Sequence, residues 1–249
     1  IATQYPRNPA GSLTKKRPQF MGFTLRGYSF ACIEYIYNPL IMRYFIFLWN
    51  KNRKAYRRIA PNYSIAKTQG LKYATAAVRY IRANAYKYNI DTNYIGGAGH
   101  SKGQYPITRL SNPNHEAAKE HANGDDTSIY KPQPNPGYSS KISVGYQSMG
   151  SGLWMQQHIT SDYIPTIAVI GMKDQPHVVN QHFKFIEALK EKEKTVNYLN
   201  IVMPDIGHTF AYGYDKKLGA DRTQLWYDFF DRYLKVNEKL PPAILTLQP

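Results

Sequence analysis

Cysteine is nearly absent from this chain. Cys32 is the only one, so no intramolecular disulfide can form and cysteine usage does not fix a redox compartment. Its apolar and aromatic neighbours in residues 28–37 mark it as a small buried residue rather than a nucleophile. Long apolar runs are missing too. The densest, residues 39–49, is interrupted by Arg43 and is too short to cross a bilayer, so no membrane span is expected. Nucleotide-binding loops are also lacking: Gly103 is followed by Gln104 where a phosphate-cradling loop needs lysine, and no G-x-G-x-x-G runs through Gly97 and Gly99. His115-Glu116-Ala117-Ala118-Lys119 approaches the zinc spelling H-E-x-x-H, but Lys119 replaces the second ligand. The expectation is therefore no metal and no cofactor.

Acidic residues are scarce, 17 against 32 lysines and arginines, which leaves a net charge of +15. Such a field attracts anions, whether nucleic acid, acidic polysaccharide or a negatively charged surface. The cations are scattered along residues 15–17, 51–58, 184–194 and 216–217 and build no continuous arm, which reads as a solvated basic surface with no specific nucleic-acid partner. The 22 tyrosines give polar-tipped aromatic surface suited to sugars and other ring-bearing ligands. Without an internal repeat or a Gly/Ser linker, the 249 residues read as one α/β domain, residues 1–249. The first residues carry neither an initiator methionine nor a signal peptide. This leads to the expectation that an upstream segment was removed and that the product is secreted or periplasmic, with the cytoplasm as the alternative.

Periodicity organises the rest. Residues 5–16 read as loop, 18–26 as a short helix stopped by Gly27, and 28–36 as a strand. Residues 39–61 carry no assignable pattern. Residues 62–89 give the longest helical signal, with Leu71, Ala74, Val78, Ile81 and Ala85 at alternating intervals of three and four. A strand around Tyr94, a helix over 101–110 and a loop-rich excursion over 111–141 follow. Then come strands at 142–147, 165–171 and 198–203, with helices at 178–192 and 222–236. Strands alternating with helices call for a mostly parallel sheet covered by helices on both faces, with ligands at the carboxyl ends of its strands.

Three of those carboxyl ends carry chemistry. Gly99-His100-Ser101-Lys102-Gly103 spells G-x-S-x-G between a strand and a helix. The serine then sits on a turn so sharp that both flanking positions, Gly99 and Gly103, are glycine. The following helix aims its first N–H groups, including that of Lys102, at the place where an oxyanion forms. A serine hydroxyl needs a base, normally a histidine oriented by a carboxylate. The strand over 165–171 ends in a turn carrying Asp174 and the strand over 198–203 in a turn carrying His208, giving the order Ser, Asp, His. Against this, Asp174 has the alternative of capping the next helix, and Asp205 is a rival acid on the histidine's own turn. His100 is placed to line the pocket or pack beneath it, and His115, His121, His158, His177 and His182 are read as surface residues.

With these segments in view, the chain resembles an α/β-hydrolase of the esterase and lipase superfamily. It is closest in pattern to the acetyl-esterase and carbohydrate-esterase branch, which is similar to prolyl-oligopeptidase-type catalytic domains. The approach from residues 77–82 through Asn89-Ile90-Asp91 to the elbow, the acid turn at 171–174 and Gly207-His208-Thr209-Phe210 carry the resemblance, which spans roughly residues 18–235. It implies Ser101 as nucleophile, His208 as general base and then acid, Asp174 as orienting carboxylate, and Lys102 N–H as oxyanion donor. The implied activity is serine carboxylic-ester hydrolysis on a small-molecule or polysaccharide ester, including anionic ones. A prolyl-oligopeptidase-type peptidase and a non-catalytic hydrolase-fold binding protein are the alternatives. The chain departs from the pattern twice. Gln104 stands where a second glycine is common, which puts close helix packing there in question. Residues 5–11 also replace the glycine-rich loop that supplies a second oxyanion donor, whose loss costs about 2.7–4 kcal/mol. If residues 1–5 are the third strand of the fold, the sheet is a shortened one lacking its first strands.

Overall fold

The structure is a computed structural model and describes residues 2–4, 18–29, 31–34, 61–112, 135–150, 159–192, 196–209, 214–216, 219–234 and 244–247. The loop expected over 5–16, the unassigned stretch 39–60, most of the excursion (113–134), and His115, Lys119, His121, His158 and Phe210 lie outside the described residues.

The sheet is built around central strands that are buried on both faces. β1 (Ala2–Gln4), β2 (Cys32–Glu34), β3 (Gly96–His100), β4 (Val144–Ser148), β5 (Thr166–Gly171), β6 (Tyr198–Met203) and β9 (Ile244–Leu247) form it in the order β2-β1-β3-β4-β5-β6-β9. Every neighbouring pair is parallel. β4, β5 and β6 are buried along their whole length, as a sheet covered on both faces requires. A separate antiparallel pair joins β7 (Tyr214–Asp215) to β8 (Ala220–Asp221).

Helices cover both faces. On one, α1 (Pro18–Leu25) and α6 (Arg222–Leu234) pack Phe23, Trp226, Phe229 and Phe230 over Val144, Tyr146, Ile167, Val169, Leu199 and Ile201. Trp226 stacks on Tyr146 with ring centroids 4.0 Å apart, and Phe23 meets Trp226 edge-on at 5.0 Å. An ion pair fastens the end of α1 to α6: Arg26 Nη1 donates to Asp231 Oδ2 at 2.6 Å, and Tyr28 OH to Asp231 Oδ1 at 2.5 Å. On the other face, α2 (Pro61–Ala83) and α4 (Gln104–Leu110) bury Leu71, Ala74, Val78, Ile107 and Leu110 with Ile95 and Ile142. Beside them α5 (Pro176–Lys190) lays Phe185, Ile186 and Leu189 against Ala168 and Tyr198.

Three sequence expectations need correcting. The strand expected over 28–36 begins at Cys32; Gly27 turns the chain at φ 86° and the Tyr28 N–H closes the end of α1 on Phe23 O at 3.0 Å, so residues 28–29 belong to the helix stop. The helix expected over 62–89 breaks at Asn84, and its last turn, α3 (Ala85–Tyr88), is capped by Asn89 in the left-handed region at φ 51°. His182 is no surface residue. It falls in the buried stripe of α5 with Val178, Gln181, Phe185, Ile186 and Leu189, a spacing that overrides its polarity.

There His182 Nε2–H donates to Asn200 Oδ1 at 2.8 Å, and burial pushes its pKa down from 6.5 to about 4. Between those values the unfolded chain binds a proton that the folded state refuses, so stability rises with pH across the window and is lost on acidification through it. Complete, the effect is of order 3 kcal/mol. Urea unfolding measured from pH 7 down to pH 4 is expected to show a steeper decline for the native protein than for His182→Gln. Equal slopes would mean that this imidazole is not held neutral.

Candidate active site

The turn after β3 is strained at its serine. Ser101 takes φ 56°, in a single 3-10 turn (Ser101–Gly103) before α4. A non-glycine residue held there costs of order 1–3 kcal/mol unless its surroundings over-determine it. Here they do: a Cβ on Gly99 would lie 2.1 Å from Gly103 O, so the chain can only double back this tightly with glycine at position 99. Lys102 is the middle residue of that turn.

The acid and histidine turns are held to each other by their backbones. Met172 N–H donates to Met203 O at 2.8 Å and Lys173 N–H to Ile206 O at 2.9 Å. A Cβ on Gly171 would meet Ile206 O at 2.2 Å, so a side chain there would push the turns apart. Asp174 is therefore delivered beneath His208. Its buried carboxylate accepts from His208 Nδ1 through Oδ2 at 2.8 Å and from Gln175 N–H through Oδ1 at 2.6 Å. The cap of α5 is Gln175, so Asp174 spends its second oxygen on the histidine. Asp205, the rival, is exposed and pairs with Lys173 at 3.2 Å.

With Nδ1 donating to a carboxylate, His208 Nε2 presents a lone pair. The Ser101 hydroxyl donates to it at 2.7 Å. Three residues separated by 73 and 34 positions thus form one hydrogen-bonded line at the carboxyl edge of the sheet, after β3, β5 and β6. His100 stands beside it, its Nδ1 3.2 Å from Ser148 Oγ and its ring 5.4 Å from that of His208.

A parallel sheet covered on both faces, a serine on a positive-φ turn after one strand, then an aspartate and a histidine on the turns ending β5 and β6, make one arrangement. The chain has the α/β-hydrolase fold.

Comparison with known proteins gives the following. Residues 133–237 match the prolyl oligopeptidase family; this part of the hydrolase fold contains Asp174 and His208, and Ser101 lies before it. Among curated proteins no sequence matches. Solved structures similar to this one include a bifunctional GH43-CE protein from Bacteroides eggerthii, 19% identical, covering 65% of this chain and 24% of its own, with TM-score 0.48. An acetyl ester-xyloside bifunctional hydrolase from Caldicellulosiruptor lactoaceticus is also 19% identical, covering 65% of this chain and 64% of its own, with TM-score 0.49. A thermophilic esterase from Thermogutta terrifontis is 16% identical, covering 70% and 67%, with TM-score 0.48. The present chain spans less than two thirds of the length of the first two.

Gln104, which put close packing in question, packs closely within this hydrolase fold. It is buried, and its Nε2 donates to Gln147 Oε1 at 3.4 Å. Room is made on the opposite side: a Cβ on Gly150 would fall 1.8 Å from Gln104 Oε1. Gln147 is anchored in turn by Thr108 Oγ1, Tyr163 OH and Thr166 Oγ1 at 2.7, 2.7 and 3.1 Å. This buried polar layer fixes α4 to the sheet directly behind the serine turn.

Met149 was not anticipated. It leaves β4 at φ 51°, and its thioether accepts the Gly171 N–H at 3.0 Å, tying the acid turn to the strand next to the serine. Residues 5–11, which stand in place of the glycine-rich loop with the second oxyanion donor, lie outside the described residues. Among the described residues no cluster of His, Cys, Asp and Glu is arranged to hold a metal ion, and no helix is long and apolar enough to cross a membrane.

Proposed function

We propose that this chain hydrolyses carboxylic esters through an acyl-serine intermediate. One observation carries the reading: the unbroken line from Ser101 Oγ to His208 Nε2 at 2.7 Å and from His208 Nδ1 to Asp174 Oδ2 at 2.8 Å. As Ser101 Oγ bonds to the carbonyl carbon, its proton passes to Nε2, and the imidazolium so formed is stabilised by the buried carboxylate. Collapse of the tetrahedral adduct breaks the bond to the alcohol oxygen, which leaves with the proton from Nε2. Water then repeats the sequence on the acyl-serine and releases the acid. Negative charge on the carbonyl oxygen is met by Lys102 N–H. The substrate class proposed is an acylated polysaccharide, which suits a chain with net charge +15 and 22 tyrosines.

A peptidase is the second reading, favoured by the match of residues 133–237 to the prolyl oligopeptidase family. A fluorophosphonate probe is expected to label Ser101, identified by mass spectrometry of the labelled peptide, and p-nitrophenyl acetate is expected to block that labelling. Hydrolysis of a proline-containing peptide p-nitroanilide at a higher kcat/KM than the acetate ester would establish the peptidase instead. Folded protein that takes up no label would leave a binding module.

A further inference from the structure

Seven large apolar or aromatic side chains are exposed among the described residues, and five are tyrosines from one region: Tyr80, Tyr86, Tyr88, Tyr94 and Tyr138. They come from the end of α2, from α3, from the turn into β3 and from the loop that leads to β4. All therefore sit toward the amino ends of the strands, opposite the carboxyl edge that carries Ser101.

The segments that carry them are joined by hydrogen bonds. Arg82 Nη1 donates to Ser139 O at 2.7 Å and its Nη2 to Thr92 O at 3.3 Å, while Ser143 Oγ donates to Asn93 O at 2.7 Å. Tyr80 and Tyr88 share a hydrogen bond between their hydroxyls at 3.1 Å, with ring centroids 6.4 Å apart. Lone exposed aromatics need no explanation, but a cluster marks an interaction surface.

Charge selects the occupant. In residues 80–94 and 135–143 the ionic side chains are Arg82, Lys87, Asp91 and Lys141. Arg82 is committed to the two carbonyls, and Asp91 accepts the N–H of Asn93 at 2.9 Å. Exposed Lys87, whose Nζ lies 5.4 Å from the Tyr88 ring centroid, and exposed Lys141 are left to face a ligand. A nucleic acid brings one phosphate per base, far more anion than two lysines match. A sugar polymer with occasional carboxylates fits better: pyranose C–H faces lie on tyrosine rings, sugar hydroxyls meet the phenol tips, and sparse carboxylates meet the lysines.

We infer that this tyrosine face is a second, non-catalytic binding site for a pyranose polymer bearing sparse carboxylates, which holds the polymer while chemistry proceeds at the far edge of the sheet. The assignment stands independently of the reaction at Ser101. Binding is therefore measured in Ser101→Ala protein as well as in the native chain, by calorimetry with carboxymethylcellulose of low substitution and with hydroxyethylcellulose. The carboxymethyl polymer is expected to bind several-fold more tightly than the neutral one, and equally well to both proteins. The double substitution Tyr80→Ser with Tyr88→Ser removes the paired rings, leaves the net charge unchanged and is expected to lose about tenfold in affinity for both polymers. Lys87→Gln with Lys141→Gln is expected to abolish the preference between them. Native affinity in the tyrosine variant would reduce the binding to diffuse charge and overturn the proposal. Tighter binding of polyuridylate than of either polymer would overturn it in favour of RNA. Sedimentation showing self-association that the tyrosine variant loses would overturn it in favour of a contact between copies.

Discussion

Ser101→Ala is expected to lower turnover of p-nitrophenyl acetate by about a millionfold, the scale seen when the nucleophile of such a relay is removed. In the proposed mechanism the substitution deletes the one atom that bonds to the acyl carbon. His208 and Asp174 keep their mutual hydrogen bond at 2.8 Å, so the loss comes without collapse of the site. Stability should hardly change, because alanine inherits the same φ of 56° and the same close passage of Gly99 against Gly103. The check is steady-state kinetics beside a thermal melt. A residual rate within about tenfold of the native one in a protein melting normally would put the nucleophile elsewhere.

For Asp174→Asn a fall in kcat of about ten-thousandfold is expected, with KM nearly unchanged. The direction follows from what holds the carboxylate. Oδ1 is fixed by the Gln175 N–H at 2.6 Å, so the new amide keeps its carbonyl there and turns its NH2 toward Nδ1. His208 must then accept at Nδ1 and carry its proton on Nε2, where it can no longer receive the proton of Ser101. The serine, its turn and the binding surface stay in place, hence the selective effect on kcat. Asp205→Asn serves as the control. That carboxylate lies at the surface against Lys173, and exposed pairs of this kind contribute about 0–1 kcal/mol, so activity should stay close to native. If the two variants traded behaviour, the relay would run through the other acid.

The hydrogen-bonded line was legible in the sequence because each member lies on a turn after a strand whose end is written in the chain. β6 appears at 198–203 as expected, since an apolar run bounded by turn residues leaves little freedom. Gly99 and Gly207 announced their turns for the same reason. Burial set by distant partners is harder to read. His182 looked like surface because its polarity was weighed above the helical spacing that lines it up with Val178, Phe185 and Leu189. Gln104 looked too large because its space is made at Gly150, 46 positions away. Met149 escaped notice altogether: a methionine with positive φ has no sequence signature, and its thioether bond to the Gly171 N–H exists only once β4 and β5 lie side by side.

The position of β1 has a consequence for how the chain is made. Ala2–Gln4 lies between β2 and β3, paired to Cys32–Glu34 on one side and to Ala98 and Gly99 on the other. During synthesis residues 2–4 therefore wait for position 99 before both their edges are satisfied. Such distant pairing delays folding and lengthens the interval in which a nascent chain shows unpaired edges.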